Sequence, residues 1–297
     1  MTPDLATVRS LHRFPVKSMQ GEDLDEAIVE PAGVLGDRAY AVVDAADGTV
    51  ASAKYPRKWA ALLGLRAAFV TEPRAGAAPP PVAVTFPDGV VRRSDEPGLD
   101  DALSALLGRT VRLESRPAPE AQFEEQWPDI DGLAPAGFIE ATTVEHSAEG
   151  EAVSRIGIGS LAPEGTFFDL AVLHVLSTAT LEALHAAAPA SDFDPRRYRP
   201  NVLLDVPGAD FAEDGWVGSN LEFGAGLRVT VTMSTMRCVM TTLAQDGFAE
   251  DRDTLRTIAK HNRRTIEGMG TWACAGVYAD VDGGGTVRRG DVVRIVG

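Results

Sequence analysis

LEFGAGLRVTVTMSTMRCVMTT, residues 221–242, decides how the chain is read. Leu221–Phe223 and Leu227–Met233 are β-prone runs on either side of Gly224-Ala225-Gly226. Small residues between two such runs mark a turn joining two strands. The second run leads into STMRCVMTT, residues 234–242, where Cys238 follows Arg237 and precedes Thr241-Thr242. The chain has only two cysteines. A free cysteine is usually a small buried hydrophobe, which needs no cation beside it; a thiolate does.

The pattern outside this stretch is also rich in short strands. Leu5–Phe14 mixes apolar and polar residues, and Asp25–Glu30 and Arg38–Asp44 flank the turn PAGVLGD (31–37). Asp47-Gly48 and Asp88-Gly89 read as hairpin turns. Val202–Val206, Thr271–Val281 and Val292–Val296 read as strands, the last two around DGGG (282–285). Helices are expected at Pro56–Leu63, at Leu99–Leu107, after Ser177-Thr178, and at Arg252–His261. The apolar run Leu170–Leu176 is too short to assign by period. Residues 72–81, 116–136 and 147–166 read as loops. The expected fold is a β-rich α+β protein with barrel-like sheets, divided near residue 120 into domains 1–120 and 121–297.

The formal net charge of −15 in 297 residues disfavours nonspecific contact with nucleic acid or anionic membranes. Two cysteines give no disulfide framework and fall short of the four thiolates of a [2Fe–2S] cluster. MTPDLATVRSLHRF lacks the apolar run of a signal peptide, and no stretch approaches about 20 apolar residues. The expected location is the cytoplasm, with neither nucleic acid nor membrane as partner.

Five stretches place cations, hydroxyls, an amide and a thiol together: FPVKSMQG (14–21), GDRAYAVVD (36–44), LSTATLEAL (176–184), RYRPNVLLD (197–205) and MRCVMTT (236–242). Each has an ordinary reading. Lys17-Ser18 suits an exposed turn, Arg38 a paired hairpin residue, and Ser177-Thr178 a helix cap. Arg199-Pro200-Asn201 suits the entrance to a strand. Together they describe an anion site, with a helix start, several cations and amides converging. A cysteine in such a site is a nucleophile or a metal ligand. No GxxxxGK[ST] or HExxH motif occurs, and His12, His146, His174, His185 and His261 lack ligand spacing. Gly157-x-Gly159 and the glycines at 283–285 do not form a dinucleotide loop. Cys274, in GTWACAGVYADV, reads as strand packing.

Pro-Val-Lys-Ser (15–18), Gly-Asp-Arg (36–38), Leu-Ser-Thr-Ala-Thr-Leu (176–181), Arg-Pro-Asn (199–201) and Arg-Cys-x-x-Thr-Thr (237–242) occur in the order in which they occur in MOSC proteins, and the chain resembles that family. Within it, the chain is similar to the subgroup with an N-terminal β-barrel domain, which includes the mitochondrial amidoxime-reducing component and bacterial enzymes that reduce N-hydroxylated bases.

The resemblance implies a molybdenum cofactor, a pterin dithiolene carrying phosphate (Mo-molybdopterin), with Cys238 as protein ligand to the metal and centre of catalysis. It implies that Lys17, Ser18, Arg38, Ser177, Thr178, Arg199 and Asn201 line the pterin and phosphate site, with Arg237 beside the metal, keeping Cys238 ionised. The implied activity is reduction of a small N-hydroxylated substrate by oxygen-atom transfer, with electrons from a separate flavin or iron–sulfur protein. Pyridoxal phosphate is not required. The alternative is a MOSC-type cofactor-binding or sulfur-carrier protein that uses Cys238 without reductase activity. Two local departures stand out. Leu243–Gly247 replaces an Asp-Pro segment and is expected to border the substrate mouth, and Met236 stands where relatives carry a small residue. No acid–base residue is assigned; Asp246 and His261 are conceivable.

Overall fold

The computed structural model describes residues 6–148, 150–159, 162–163, 165–245 and 247–296. Alternating burial along Ala6–Arg13, with Val8 and Leu11 turned inward, makes this strand one stave of a barrel. The staves run in the order Leu173–Ser177, Val202–Asp205, Ala6–Arg13, Val292–Val296, Asn220–Phe223, Leu227–Met236 and Gly270–Gly283. The last pairs back onto the first, Val175 against Val277, so a seven-stranded barrel closes. Closure removes the unpaired edges that an open sheet would expose. Its interior holds Val8, Leu204, Phe223, Val229, Val277 and Val293.

The hairpin at 220–236 forms as its sequence directs. Leu221 pairs with Val229 and Phe223 with Leu227. Gly224 has φ 52°, and a Cβ there would lie 2.6 Å from the Asp291 carboxylate, so the turn requires glycine. Leu227–Met236 is bulged at three places against Gly270–Gly283, the last between Ser234 and Met236. A bulge bends its strand and turns it away from the ladder. Arg237 and Cys238 follow immediately.

Leu173–Ser177 and Val202–Asp205 are the parallel pair of the barrel. A parallel pair needs a crossover, and helix Thr178–Ala187 supplies it, with the Ser177 hydroxyl accepting from Thr180 N at 3.0 Å. A second core gathers Val16, Met19, Trp59, Leu62, Leu65, Val84 and Leu103, with small sheets around it. Strands from before residue 120 pair with strands from after it. Ala6–Arg13 lies inside the barrel, and Glu26–Glu30 pairs with Gly285–Arg288. The two parts of the chain thus share sheets.

Residues 116–136 and 147–166 hold more order than their composition suggests. Gln122–Trp127 is a strand paired with Ala152–Gly157, and a short helix, Ala136–Thr142, packs beside them. The sequence QFEEQW conceals the strand because Glu124 and Glu125 look solvent-facing. Both are buried, Glu124 on Lys58 Nζ at 2.8 Å and Glu125 on Lys54 Nζ at 3.0 Å. A buried carboxylate needs such partners. No helix among the described residues is long and apolar enough to cross a membrane.

Candidate functional site

Beyond strand Ala6–Arg13 the chain turns sharply at Lys17-Ser18, where Ser18 takes φ 64°. Its hydroxyl accepts from Ala53 N at 3.0 Å. Arg38 takes φ 47° and Arg199 φ 53°, and among the described residues these three are the non-glycine residues with positive φ. Left-handed backbone is costly for a residue with a Cβ and persists where its surroundings enforce it, often at functional sites. All three line one cavity, together with Lys17, Asn201, Arg237 and Cys238.

Buried bonds fix these side chains. Lys17 Nζ donates to Phe167 O at 2.9 Å and is paired with Asp169. Arg38 is paired with the buried Asp37 and lies over the Phe14 ring, its guanidinium carbon 4.7 Å from the centroid. Asp37 also accepts from Phe14 N at 2.7 Å and from Asn201 Nδ2 at 2.8 Å. Arg199 reaches back to Met19 O at 2.6 Å and also lies over the Phe14 ring, its guanidinium carbon 4.1 Å from the centroid. Arg237 donates through Nε to Ala275 O at 2.8 Å and through Nη1 to Tyr198 O at 3.1 Å.

His174, which lacks ligand spacing in the sequence, lines this cavity. Its Nδ1 lies 3.3 Å from Arg199 O, which can only accept, so Nδ1 carries the proton. Nε2 then accepts from Arg237 Nη2. Burial, reinforced by Arg237, holds the imidazole well below its ordinary pKa, and it is neutral.

Lys54 and Asp169, also missed in the sequence, join the two sides of the site. Lys54 Nζ lies 3.3 Å from Asp169 and bridges to Glu125. Burial works against ionising Asp169, but Lys17 and Lys54 outweigh it and hold the carboxyl well below its usual range. Burial, with Arg38 adding to it, brings the Arg199 guanidinium down to about 9. This is a cavity with crowded cations and one carboxylate between two of them.

Cys238, Ser177 and Thr178 have surroundings that the sequence does not reveal. Cys238 is partly buried at the head of the turn Val239–Thr242, and burial, with Glu125 adding to it, pushes its thiol up to about 11. Lys54 opposes this shift. Arg237, the sequence neighbour, is hydrogen-bonded to Ala275, Tyr198 and His174 while also feeling the charge of Cys238. Ser177 and Thr178 do not line the cavity. The Ser177 hydroxyl donates to the buried Glu213 carboxylate while it accepts from Thr180 N, and Thr178 Oγ1 donates to Val206 O at 3.1 Å.

Cys274 is fully buried in strand Gly270–Gly283. His261 is exposed at the end of its helix, and Asp246 lies outside the described residues. Residues 243–245 and 247 line neither the cavity described above nor the adjoining one that also reaches Cys238, whereas Met236 lines both.

Two features bear on whether a molybdenum–pterin cofactor suits these residues. Tyr198 OH and Arg197 Nε, atoms of two residues that line the cavity, are buried with no partner among the described residues. The cations Lys17, Arg38, Arg197 and Arg199 suit an anion such as a phosphate. Among the described residues no group of three or more His, Cys, Asp or Glu could hold a metal ion. A metal at Cys238 must therefore bring its other ligands with it, as a dithiolene does. The donor set fits the group.

A family model described as the MOSC domain matches residues 164–294, and one described as the MOSC N-terminal beta barrel domain matches residues 5–63. Among solved structures, the YuaD protein from Bacillus subtilis is 10% identical, with 99% of this chain and 98% of that one covered and a TM-score of 0.45. YiiM from Geobacillus stearothermophilus is 12% identical, with 43% of this chain and 55% of that one covered and a TM-score of 0.31. No curated protein sequence matches the chain.

Proposed function

Because the chain is a MOSC-domain protein with an N-terminal MOSC β-barrel domain, we propose that it is a molybdenum-cofactor-dependent reductase of N-hydroxylated substrates. One observation carries the reading: Ser18, Arg38 and Arg199, the three non-glycine residues with left-handed backbone among those described, converge on the cationic cavity that contains Cys238. Strain concentrated in one polar cavity indicates a binding site.

Cys238 would hold the metal. Lys17, Arg38 and Arg199, with Arg197, would take the phosphate, while Ser18, Asn201 and Tyr198 would meet the polar edges of the pterin and Arg237 would lie beside the metal. When bound, the cofactor supplies the redox centre for oxygen-atom transfer. The overall conversion, R–NHOH + 2e⁻ + 2H⁺ → R–NH₂ + H₂O, breaks one N–O bond and draws its electrons from a separate flavin or iron–sulfur protein.

The chain's own residues prepare this site. Neutral His174 accepts from Arg237 and fixes its direction. Asp169 holds Lys17 and Lys54 together, so an anion entering the cavity competes with a carboxylate for the same cations. Ligation of Cys238 releases its thiol proton, and Lys54 is a cation placed to favour that loss.

The test is metal analysis of protein from a host that makes the cofactor, wild type beside Cys238→Ser and Cys274→Ser, with circular dichroism to verify folding. The expected result is near-stoichiometric molybdenum in wild type and Cys274→Ser, lost in Cys238→Ser, and reduction of N-hydroxylated substrates by the loaded protein with a chemical reductant. Absence of molybdenum from a host that loads a control enzyme overturns the reading, and a persulfide on Cys238 would replace it with sulfur transfer.

A further inference from the structure

Cys238 lies on the wall between two cavities of opposite character. Lys54, Asp169, Arg237, Cys238 and Tyr278 line both. The second cavity, of about 300 Å³, is otherwise dominated by Phe123, Trp127, Phe138, Ile156, Met269 and Trp272. Three of the rings form one cluster, with centroids 4.8 Å apart for Phe138 and Trp272, 5.8 Å for Trp127 and Trp272, and 6.0 Å for Trp127 and Phe138. Their polar edges are already used: Trp127 Nε1 donates to Ser154 Oγ at 2.8 Å, and Trp272 Nε1 to Met269 O at 2.9 Å. What remains for an occupant there is apolar ring surface, with Lys54, Asp169 and Arg237 at the end shared with Cys238 and Glu125, Thr142 and Arg155 elsewhere on the wall.

The origin of this wall matters. Phe123, Trp127, Phe138 and Ile156 come from strands Gln122–Trp127 and Ala152–Gly157 and helix Ala136–Thr142. That segment lies between the two stretches matched by the family models, 5–63 and 164–294. The polar cavity is built from the matched stretches, whereas the aromatic one takes about half of its wall from the segment between them.

We propose that the aromatic cavity is the substrate pocket and that it selects N-hydroxylated compounds bearing an aromatic ring. The ring is taken up by Trp127, Phe138 and Trp272, with the N–O group directed to the Cys238 end. Small-molecule sites commonly combine an apolar body with a few polar groups that orient the ligand. Aromatic pairs gain from offset and edge-on packing beyond simple burial. This inference rests on the proposed reductase function for the identity of the reacting group, but the ring selection can be measured independently.

The test compares benzhydroxamic acid with acetohydroxamic acid on cofactor-loaded protein by isothermal titration calorimetry. The two share the N-hydroxyamide head, so any contact of that head with the metal cancels and the difference reports the ring. The expected result is tighter binding of the phenyl compound by about tenfold or more. Phe138→Ala, which opens the cluster, and Ile156→Trp, which fills the cavity, should each cut that preference to about threefold or less, with folding verified by circular dichroism. Equal binding of both compounds to wild type overturns the proposal even if neither variant folds. So does a preference that survives in both folded variants. If the ring preference is present but the loaded protein reduces neither compound nor any other N-hydroxylated substrate, the reductase reading fails and the pocket stands. If reduction occurs without ring preference, the pocket fails and the reductase reading stands.

Discussion

His174 Nε2 accepts a hydrogen bond from the Arg237 guanidinium, inside the barrel wall and away from water. Protonating His174 would set two cations against each other there. Its folded pKa is lowered far below 6.5, by burial first and Arg237 second, so between the two values the unfolded chain binds the proton and the folded chain does not. Stability therefore rises with pH in that window and falls as pH drops below about 6.5, by up to about 1.4 kcal/mol per pH unit. His12, whose pKa burial also lowers, adds a slope of the same sign. Urea titrations from pH 7.5 to 5 should show a shallower slope in His174→Gln than in wild type, and equal slopes would contradict a neutral His174.

Gly276 belongs to the same contact. It has φ 81°, and a Cβ there would lie 2.5 Å from His174 Nε2 and 2.8 Å from Val175 O. Gly276→Ala should cost about 1–3 kcal/mol and loosen Arg237 with it. Chemical denaturation measures the first effect and molybdenum content of the purified protein the second. A variant as stable as wild type would mean that the strand has room to spare there.

Lys54 and Glu125 form a buried pair at 3.0 Å. Removing the lysine alone strands the carboxylate, which burial already pushes up. Lys54→Met should lose about 3–5 kcal/mol, and Lys54→Met with Glu125→Gln should recover part of it. Urea denaturation of the two singles and the double closes the cycle. Additive losses would mean that the pair is not coupled.

Arg199 carries φ 53° ahead of Pro200, where a residue is normally driven toward extended backbone. Arg199→Gly and Arg199→Ala both delete the guanidinium and its bond to Met19 O. Only alanine still bears the cost of a left-handed Cβ. The alanine variant should be less stable by about 1 kcal/mol, and both should retain less molybdenum than wild type. Denaturation midpoints decide the order, and a more stable alanine variant would rule out the left-handed conformation in solution.

What could be read in advance follows from how local each signal is. The hairpin at 220–236 and the Ser177 cap are written in neighbouring residues, and the structure keeps both. The five short motifs are local too, and four of them meet at one cavity. Lys54 and Asp169 gave no signal, because a lone lysine and a lone aspartate have no period or spacing to detect. Strand Gln122–Trp127 was hidden because its buried acids are matched by Lys54 and Lys58, in a distant part of the chain. Arg237 adjoins Cys238 in the sequence and lines the same cavity, but its hydrogen-bond partners His174, Tyr198 and Ala275 come from distant parts of the chain and could not be read in advance.

The first stave of the barrel carries a consequence for assembly in the cell. Ala6–Arg13 lies between Val202–Asp205 and Val292–Val296, with Ala6 paired to Val293. Ala6–Arg13 must wait for Val292–Val296, far downstream of it, to be made before the ring can shut. Until then the growing sheet has open sides, and loop closure across nearly the whole chain comes late and slowly. A fragment that starts after residue 120 never receives that stave and keeps two bare edges, the kind of surface on which strands of other molecules add.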